Sequence, residues 1–133
     1  GLYDEVLIKD NHLRVLRARS MEQIITAARQ GTLKKTAIGL EVKNLAELKE
    51  AIKCKVDYIL LDNMTPQQLR SAVKLVGGRA RTEASGGVTL RNVRTIARTG
   101  VNDISVGALT HSAPALDISL DLKLLPPKRT RPR

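Results

Sequence analysis

Glu83-Ala84-Ser85-Gly86-Gly87-Val88-Thr89 runs an extended segment into a two-glycine turn and on into a helix opening. Glycines let a backbone approach a ligand closely and adopt positive φ. A helix start adds unpaired N–H groups and the positive end of a dipole. Together they predict a phosphate cup at Ser85, Gly86 and Gly87. One repeat later, Ser105-Val106-Gly107-Ala108 offers a second turn of the same kind. Phosphate sites built from consecutive strand-end loops are a habit of β/α barrels, so the pair points to a phosphorylated ligand.

Other polar residues fall where apolar runs end. They are Lys9-Asp10-Asn11-His12, then Glu41, Asp62-Asn63, Glu83 with Ser85, and Ser105 with Gly107. Each has a plainer role open to it. Lys9 could be a solvated loop lysine, Glu41 a paired rim charge, and Asp62 a cap for the turn before Thr65. Asn11 could shape its loop, His12 and His111 could be structural hydrogen-bonding groups, and Glu83 could orient neighbours without touching ligand. Their joint recurrence at successive strand ends favours one shared rim. There, Glu41 and Asp62 can accept hydrogen bonds from a ribose diol and hold Mg²⁺ through its waters. Lys9 supplies positive charge for a carboxylate or pyrophosphate. Cys/His nucleophile pairs, zinc spacing and a Walker lysine are absent from the sequence.

The elements that must carry these residues follow a βα rhythm of about 20 to 25 residues. Strands are predicted at Val6–Ile8, Ala37–Val42, Asp57–Leu61, Arg81–Ala84 and Asp103–Val106. Between them, Ser20 caps a helix that stops at Gly31, and Asn44 caps another with Glu47 at the capping-box position. Thr65-Pro66 opens a third helix, ended by Gly77-Gly78, and Thr89 caps a fourth carrying Val93, Ile96 and Ala97. Asp117–Leu122 reads as a further strand or the start of a closing element. No Gly-x-Gly-x-x-Gly follows the first strand, which disfavours a dinucleotide fold. The expectation is a parallel α/β barrel-type domain, incomplete, comprising its C-terminal half or more.

A chain of 133 residues accommodates one core, not two. We expect the domain to occupy 1–122 and a basic, disordered tail 123–133, whose Lys128, Arg129, Arg131 and Arg133 add to a net charge of +10. The only aromatic residues are Tyr3 and Tyr58. That scarcity argues against single-stranded nucleic-acid binding, which needs stacking platforms. The lone Cys54 excludes an intrachain disulfide framework and reads as a small core residue. The absence of a long apolar run or a signal pattern suggests a reducing, cytoplasmic location without membrane contact. Gly1 sits almost on top of a strand, as in a piece cut from a longer protein.

The blocks Leu7-Ile8-Lys9-Asp10-Asn11-His12, Glu41-Val42, Ile59 to Met64, Glu83 to Gly87 and Ser105 to His111 occur in order with family-like spacing. From Gly1 to about Leu122 the chain closely resembles the C-terminal part of nicotinate-nucleotide pyrophosphorylase (carboxylating), also called quinolinate phosphoribosyltransferase. The resemblance implies conversion of quinolinate and phosphoribosyl pyrophosphate to nicotinate mononucleotide, pyrophosphate and CO₂ with Mg²⁺, on the de novo route to NAD. It implies that Lys9 contacts substrate anions, and that Glu41 and Asp62 contact ribose hydroxyls and, indirectly, magnesium. It also implies that Ser85, Gly86, Gly87, Ser105, Val106, Gly107 and Ala108 hold phosphate, and that the full-length protein is a homodimer or larger. One departure is Gly39, where the family commonly has another acidic residue.

Three alternatives stay open from sequence. They are a non-catalytic phosphosugar- or nucleotide-binding module, the related protein found beside molybdate-transport genes, and a nucleic-acid binder driven by the tail. The family's N-terminal sandwich domain and most of its quinolinate-binding cations would lie before position 1. The 133 residues alone are therefore expected to show little or no turnover. Steady-state nicotinate mononucleotide formation by the purified chain checks this, and a rate comparable to a full-length enzyme would reject it.

Overall fold

Leu, Ile and Val occupy alternate positions in short runs, and each run is followed by a helix-forming stretch with its own cap. The computed structural model describes residues 4–33, 35–111, 113, 116 and 118–123. It contains strands β1 (Glu5–Ile8), β2 (Ala37–Val42), β3 (Tyr58–Asp62), β4 (Arg81–Ser85) and β5 (Asp103–Ile104). The helices are α1 (Asp10–Val15), α2 (Met21–Gln30), α3 (Leu45–Lys53), α4 (Pro66–Val76) and α5 (Val93–Ala97). All strand pairs are parallel, and the order β1-β2-β3-β4-β5 follows the chain. With that order, right-handed crossovers place every helix on one side of the sheet. This is the winding of a barrel wall, not of a doubly wound sheet.

Strand parity then separates two chemistries. Ile38, Leu40, Val42, Ile59 and Leu61 are fully buried and form one core with Leu48, Ala51, Leu69, Ala72 and Val76 of the helices. The alternate positions make the inner face. In register across it stand Leu7, Gly39, Tyr58 and Arg81, then Glu41, Leu60, Glu83 and Asp103, then Asp62 and Ser85. Most of these are polar, so this face is not a second hydrophobic core.

Local chemistry explains the helix starts. Ser20 and Thr65 each accept from the N–H three residues on, while Gln23 and Gln68 reach back to their N–H groups. Asn44 Oδ1 accepts from the N–H groups of Ala46 and Glu47 at 3.0 and 2.9 Å. Its expected capping box is altered: Glu47 accepts from the Lys43 N–H and the Asn44 carboxamide.

Four expectations shift. The predicted strand-end loop after β1 is instead the short helix α1. β3 lies one residue later than predicted, because Asp57 turns aside to accept from the Ile38 N–H at 2.8 Å and pair with Arg29. β5 stops at Ile104. Thr89 is not a side-chain cap: Asn92 Oδ1 accepts from the Thr89 N–H at 2.8 Å, and α5 begins only at Val93.

Residues 118–123 adopt neither helix nor strand. Asn11 grips them instead, donating to the Leu120 carbonyl at 2.6 Å and accepting from the Leu122 N–H at 3.1 Å. Asp117 and residues 124–133, most of the proposed tail, lie outside the described residues. No described helix is long and apolar enough to cross a membrane.

Leu61 sits fully buried in the central strand. Leu61→Ala is expected to cost about 2–5 kcal/mol, and Asn44→Ala about 1 kcal/mol, as measured by urea unfolding.

Candidate functional site

The C-terminal ends of β1 to β4, and the residues just after β5, bring the expected polar groups to one rim. Lys9 follows β1 and starts α1. Its N–H donates to His12 Nδ1 at 2.9 Å, which fixes the main chain while the ammonium reaches across β2. Lys9 Nζ lies 3.9 Å from Glu41 Oε2; the lysine side chain is 57% exposed and the glutamate only 10%. Burial pushes the Glu41 carboxyl above its ordinary range, and repulsion from Asp62 adds to this. Lys9 opposes both. The two acids thus act on each other as neighbours across β2 and β3.

Asp62 accepts from Asn63 Nδ2 at 3.0 Å. Asn63 has φ 52°, a left-handed conformation that Asn tolerates better than most residues. Its N–H donates to the Ser85 carbonyl at 2.8 Å. Its side chain fills the space beside Gly86, so that a Cβ on Gly86 would lie 2.3 Å from Asn63 Oδ1. Gly86 and Gly87 both have positive φ, at 87° and 60°. The close neighbour of the Gly86 backbone is thus the Asn63 side chain. The predicted helix start is displaced by the turn at 88–92, so α5 begins only at Val93, six residues beyond Gly87. Asn92 braces that turn by donating to the Gly87 carbonyl at 2.9 Å.

Ser85, Gly86 and Gly87 share a cleft of about 690 Å³ with Ser105, Gly107 and Ala108, and it is also lined by Thr89 and His111. Val106 is the exception: it lines an adjacent apolar cleft with Leu90, Val93 and Leu109. Lys9, Glu41 and Asp62 stand beside the larger cleft, joined to it by the in-register pair Asp62 and Ser85. Glu83 accepts a short hydrogen bond from the Ser105 hydroxyl and thus orients its neighbour, as expected. His12 is occupied as a helix-start acceptor.

Sequence reasoning left three contributors outside its site. His111 lines the larger cleft, Asn63 shapes Gly86, and Asn92 braces Gly87. The left-handed tolerance of Asn was the available signal for Asn63, and His111 closed the Ser105–His111 block but was read as structural; nothing in the spacing marked Asn92. Asp10 was seen only as part of a strand-end run. It meets Lys43 Nζ at 2.6 Å and Arg14 at 3.5 Å, and Lys43 holds its carboxyl below the ordinary range. Cys54 ends α3, its thiol donating to the Glu50 carbonyl at 3.3 Å, away from this rim.

The family described as "Quinolinate phosphoribosyl transferase, C-terminal domain" matches residues 1–121. The chain belongs to that family. A Bacillus subtilis protein named as a probable carboxylating nicotinate-nucleotide pyrophosphorylase is 42% identical over 124 residues, covering 93% of this chain and 42% of that protein. The structure of the nicotinate-nucleotide pyrophosphorylase from Francisella tularensis superposes with TM-score 0.76 at 38% identity, over 83% of this chain and 38% of that one. Thiamine phosphate pyrophosphorylase from Pyrococcus furiosus shares the fold alone, with TM-score 0.62 at 24% identity over 77% of this chain and 48% of that one. The chain spans about two-fifths of the length of the curated relatives it matches, 42% for the Bacillus subtilis protein.

Because its carboxyl is pushed up, Glu41 binds a proton more tightly in the folded chain than in the unfolded one. Its contribution to stability is full below the ordinary value of 4.5 and is lost as pH rises through the raised value. Glu41→Gln should remove that fall in a pH series of urea unfolding curves. In carboxyl NMR titrations, Asp62→Asn should bring the Glu41 midpoint down and Lys9→Met should raise it.

Proposed function

We propose that this chain provides the phosphoribosyl half of a quinolinate phosphoribosyltransferase site. The observation that carries the proposal is the joining of a cation-tethered carboxylate pair to a positive-φ glycine turn at consecutive strand ends. The turn N–H groups and the Ser85–Ala108 cleft receive the 5-phosphate. Glu41 and Asp62 accept from the ribose hydroxyls. Lys9 faces the anions that meet at the sugar C1, either the departing pyrophosphate or the incoming aromatic diacid.

The reaction forms a bond from the pyridine nitrogen to C1 as the C1–pyrophosphate bond breaks. Positive charge develops on the sugar in between. Two carboxylates fixed beside it stabilise that charge without reorganising, provided both are ionised. Lys9 matters twice here, because it favours the ionised form of Glu41 against burial and against Asp62. CO₂ then leaves from the ring carbon beside the alkylated nitrogen, whose positive charge stabilises the electron pair left there until it takes a proton from water.

Among the described residues no cluster of three or more His, Cys, Asp and Glu side chains could cage a metal. Two hard oxygen donors nevertheless suit Mg²⁺, which keeps several waters and binds substrate phosphates. Glu41 and Asp62 would hold it through water or ribose, and when bound it supplies charge neutralisation for the pyrophosphate.

Titration calorimetry with phosphoribosyl pyrophosphate and Mg²⁺ tests the reading. Glu41→Gln and Asp62→Asn are each expected to weaken binding at least tenfold, roughly 1.4 kcal/mol. Gly86→Ala should do the same for ribose 5-phosphate, since its Cβ would strike Asn63. Unchanged affinity in all three variants would reject the site.

A further inference from the structure

Asn63 touches both halves of the rim. β3 ends at Asp62, and the next residue takes φ 52°, one of two left-handed non-glycine positions among the described residues. That step breaks the alternation of faces, so the side chain leaves β3 sideways, toward β4. Three contacts follow. The Asn63 N–H donates to the Ser85 carbonyl at 2.8 Å, beside the register pair of Asp62 and Ser85. Asn63 Nδ2 donates to Asp62 Oδ1 at 3.0 Å, the only sense in which an amide can meet an ionised carboxylate. The carboxamide then lies over Gly86, where a Cβ would meet its Oδ1, Cγ and Nδ2 at 2.3, 2.4 and 2.7 Å.

These contacts join two groups that belong to different strands. Asp62 closes β3, whereas Gly86 and Gly87 follow β4, and two consecutive positive-φ glycines give a turn little stiffness of its own. A ligand that spans both groups must find them at one spacing. Two weak contacts to one ligand reinforce each other only while the geometry lets both form together. Asparagine suits the position in three ways. It tolerates the left-handed backbone, it donates to a carboxylate, and its planar amide fits flat over a glycine. Aspartate would keep the shape but lose the donor. We propose that Asn63 is a positioning residue that fixes the spacing between the Asp62 carboxylate and the Gly86 turn. It thereby sets the preference of the site for a sugar phosphate over free phosphate. The inference rests on the phosphoribosyl site proposed above.

Amide NMR titrations of the 133-residue chain with inorganic phosphate and with ribose 5-phosphate test this, with circular dichroism confirming the fold of each variant. The wild-type chain should prefer ribose 5-phosphate by about thirtyfold or more. Asn63→Gly keeps the left-handed backbone and the N–H to Ser85 but removes the carboxamide, and should cut that preference about tenfold. Asn63→Asp keeps the shape, removes the donor and sets a second carboxylate against Asp62; it should cut the preference as far. In an Asp62→Asn background, Asn63→Gly should change the preference by less than about threefold, because the partner it positions is already altered. A residue that only held the turn together would weaken both ligands equally. An unchanged preference in Asn63→Gly or in Asn63→Asp therefore overturns the inference alone, and either variant decides the test if the other fails to fold. A further loss of about tenfold in the Asp62→Asn background overturns it too. Absence of ribose 5-phosphate binding by the wild-type chain overturns the phosphoribosyl site, and this inference with it.

Discussion

Side chains along a parallel strand alternate between two faces, and here the two faces have opposite chemistry. On the helix side the alternate positions of β2 and β3 are Ile, Leu and Val, fully buried, and β4 adds the buried Thr82 and Ala84. On the inner side they are Glu41, Asp62, Glu83, Arg81 and Ser85. Everything at the rim depends on this alternation holding in register across five strands. A slip of one residue in β2 would carry Glu41 into the hydrocarbon layer and bring Leu40 to the rim. The fully buried side chains beneath Glu41 therefore do more than stabilise the sheet. They fix which atoms face the cleft.

Within that frame the rim is an electrostatic compromise. Two carboxylates on adjacent strands repel, and burial penalises the charge on Glu41 further. One lysine, held by its own main chain at a helix start, offsets part of that cost. Burial and Asp62 push the Glu41 carboxyl up, and Lys9 pulls it back. Asp10, Lys43 and Arg14 form a separate paired set beside the rim, so their charges are largely spent on each other.

Much of this was legible in the order of residues. The βα repeat, the limits of β2 and α4, and the rim positions of Lys9, Glu41, Asp62 and Ser85 follow from patterns of two and 3.6 residues with cap signals between them. What stayed hidden were contacts between segments distant in sequence. Asp57 leaves β3 because the Ile38 N–H, on another strand, needs an acceptor. Asn92 replaces Thr89 at the helix start because the glycine turn leaves a carbonyl for it to bind. Val106 turns toward an apolar cleft because β5 ends early, at Ile104. None of these could be deduced from local propensity. Gly39 was visible as a departure, but only Tyr58 on the next strand shows what occupies its place.

The grip of Asn11 on the Leu120–Leu122 backbone joins positions 109 and 111 residues apart. The βα units pack largely on near neighbours, whereas this clasp closes a loop that contains the whole sheet. Contacts that span most of a chain are slow to form, because their entropy must be spent before they return anything. The clasp on α1 is thus the kind of contact whose closure entropy is large. It takes hold two residues from Lys9, so the segment at 118–123 is fastened beside the rim that the middle of the chain builds.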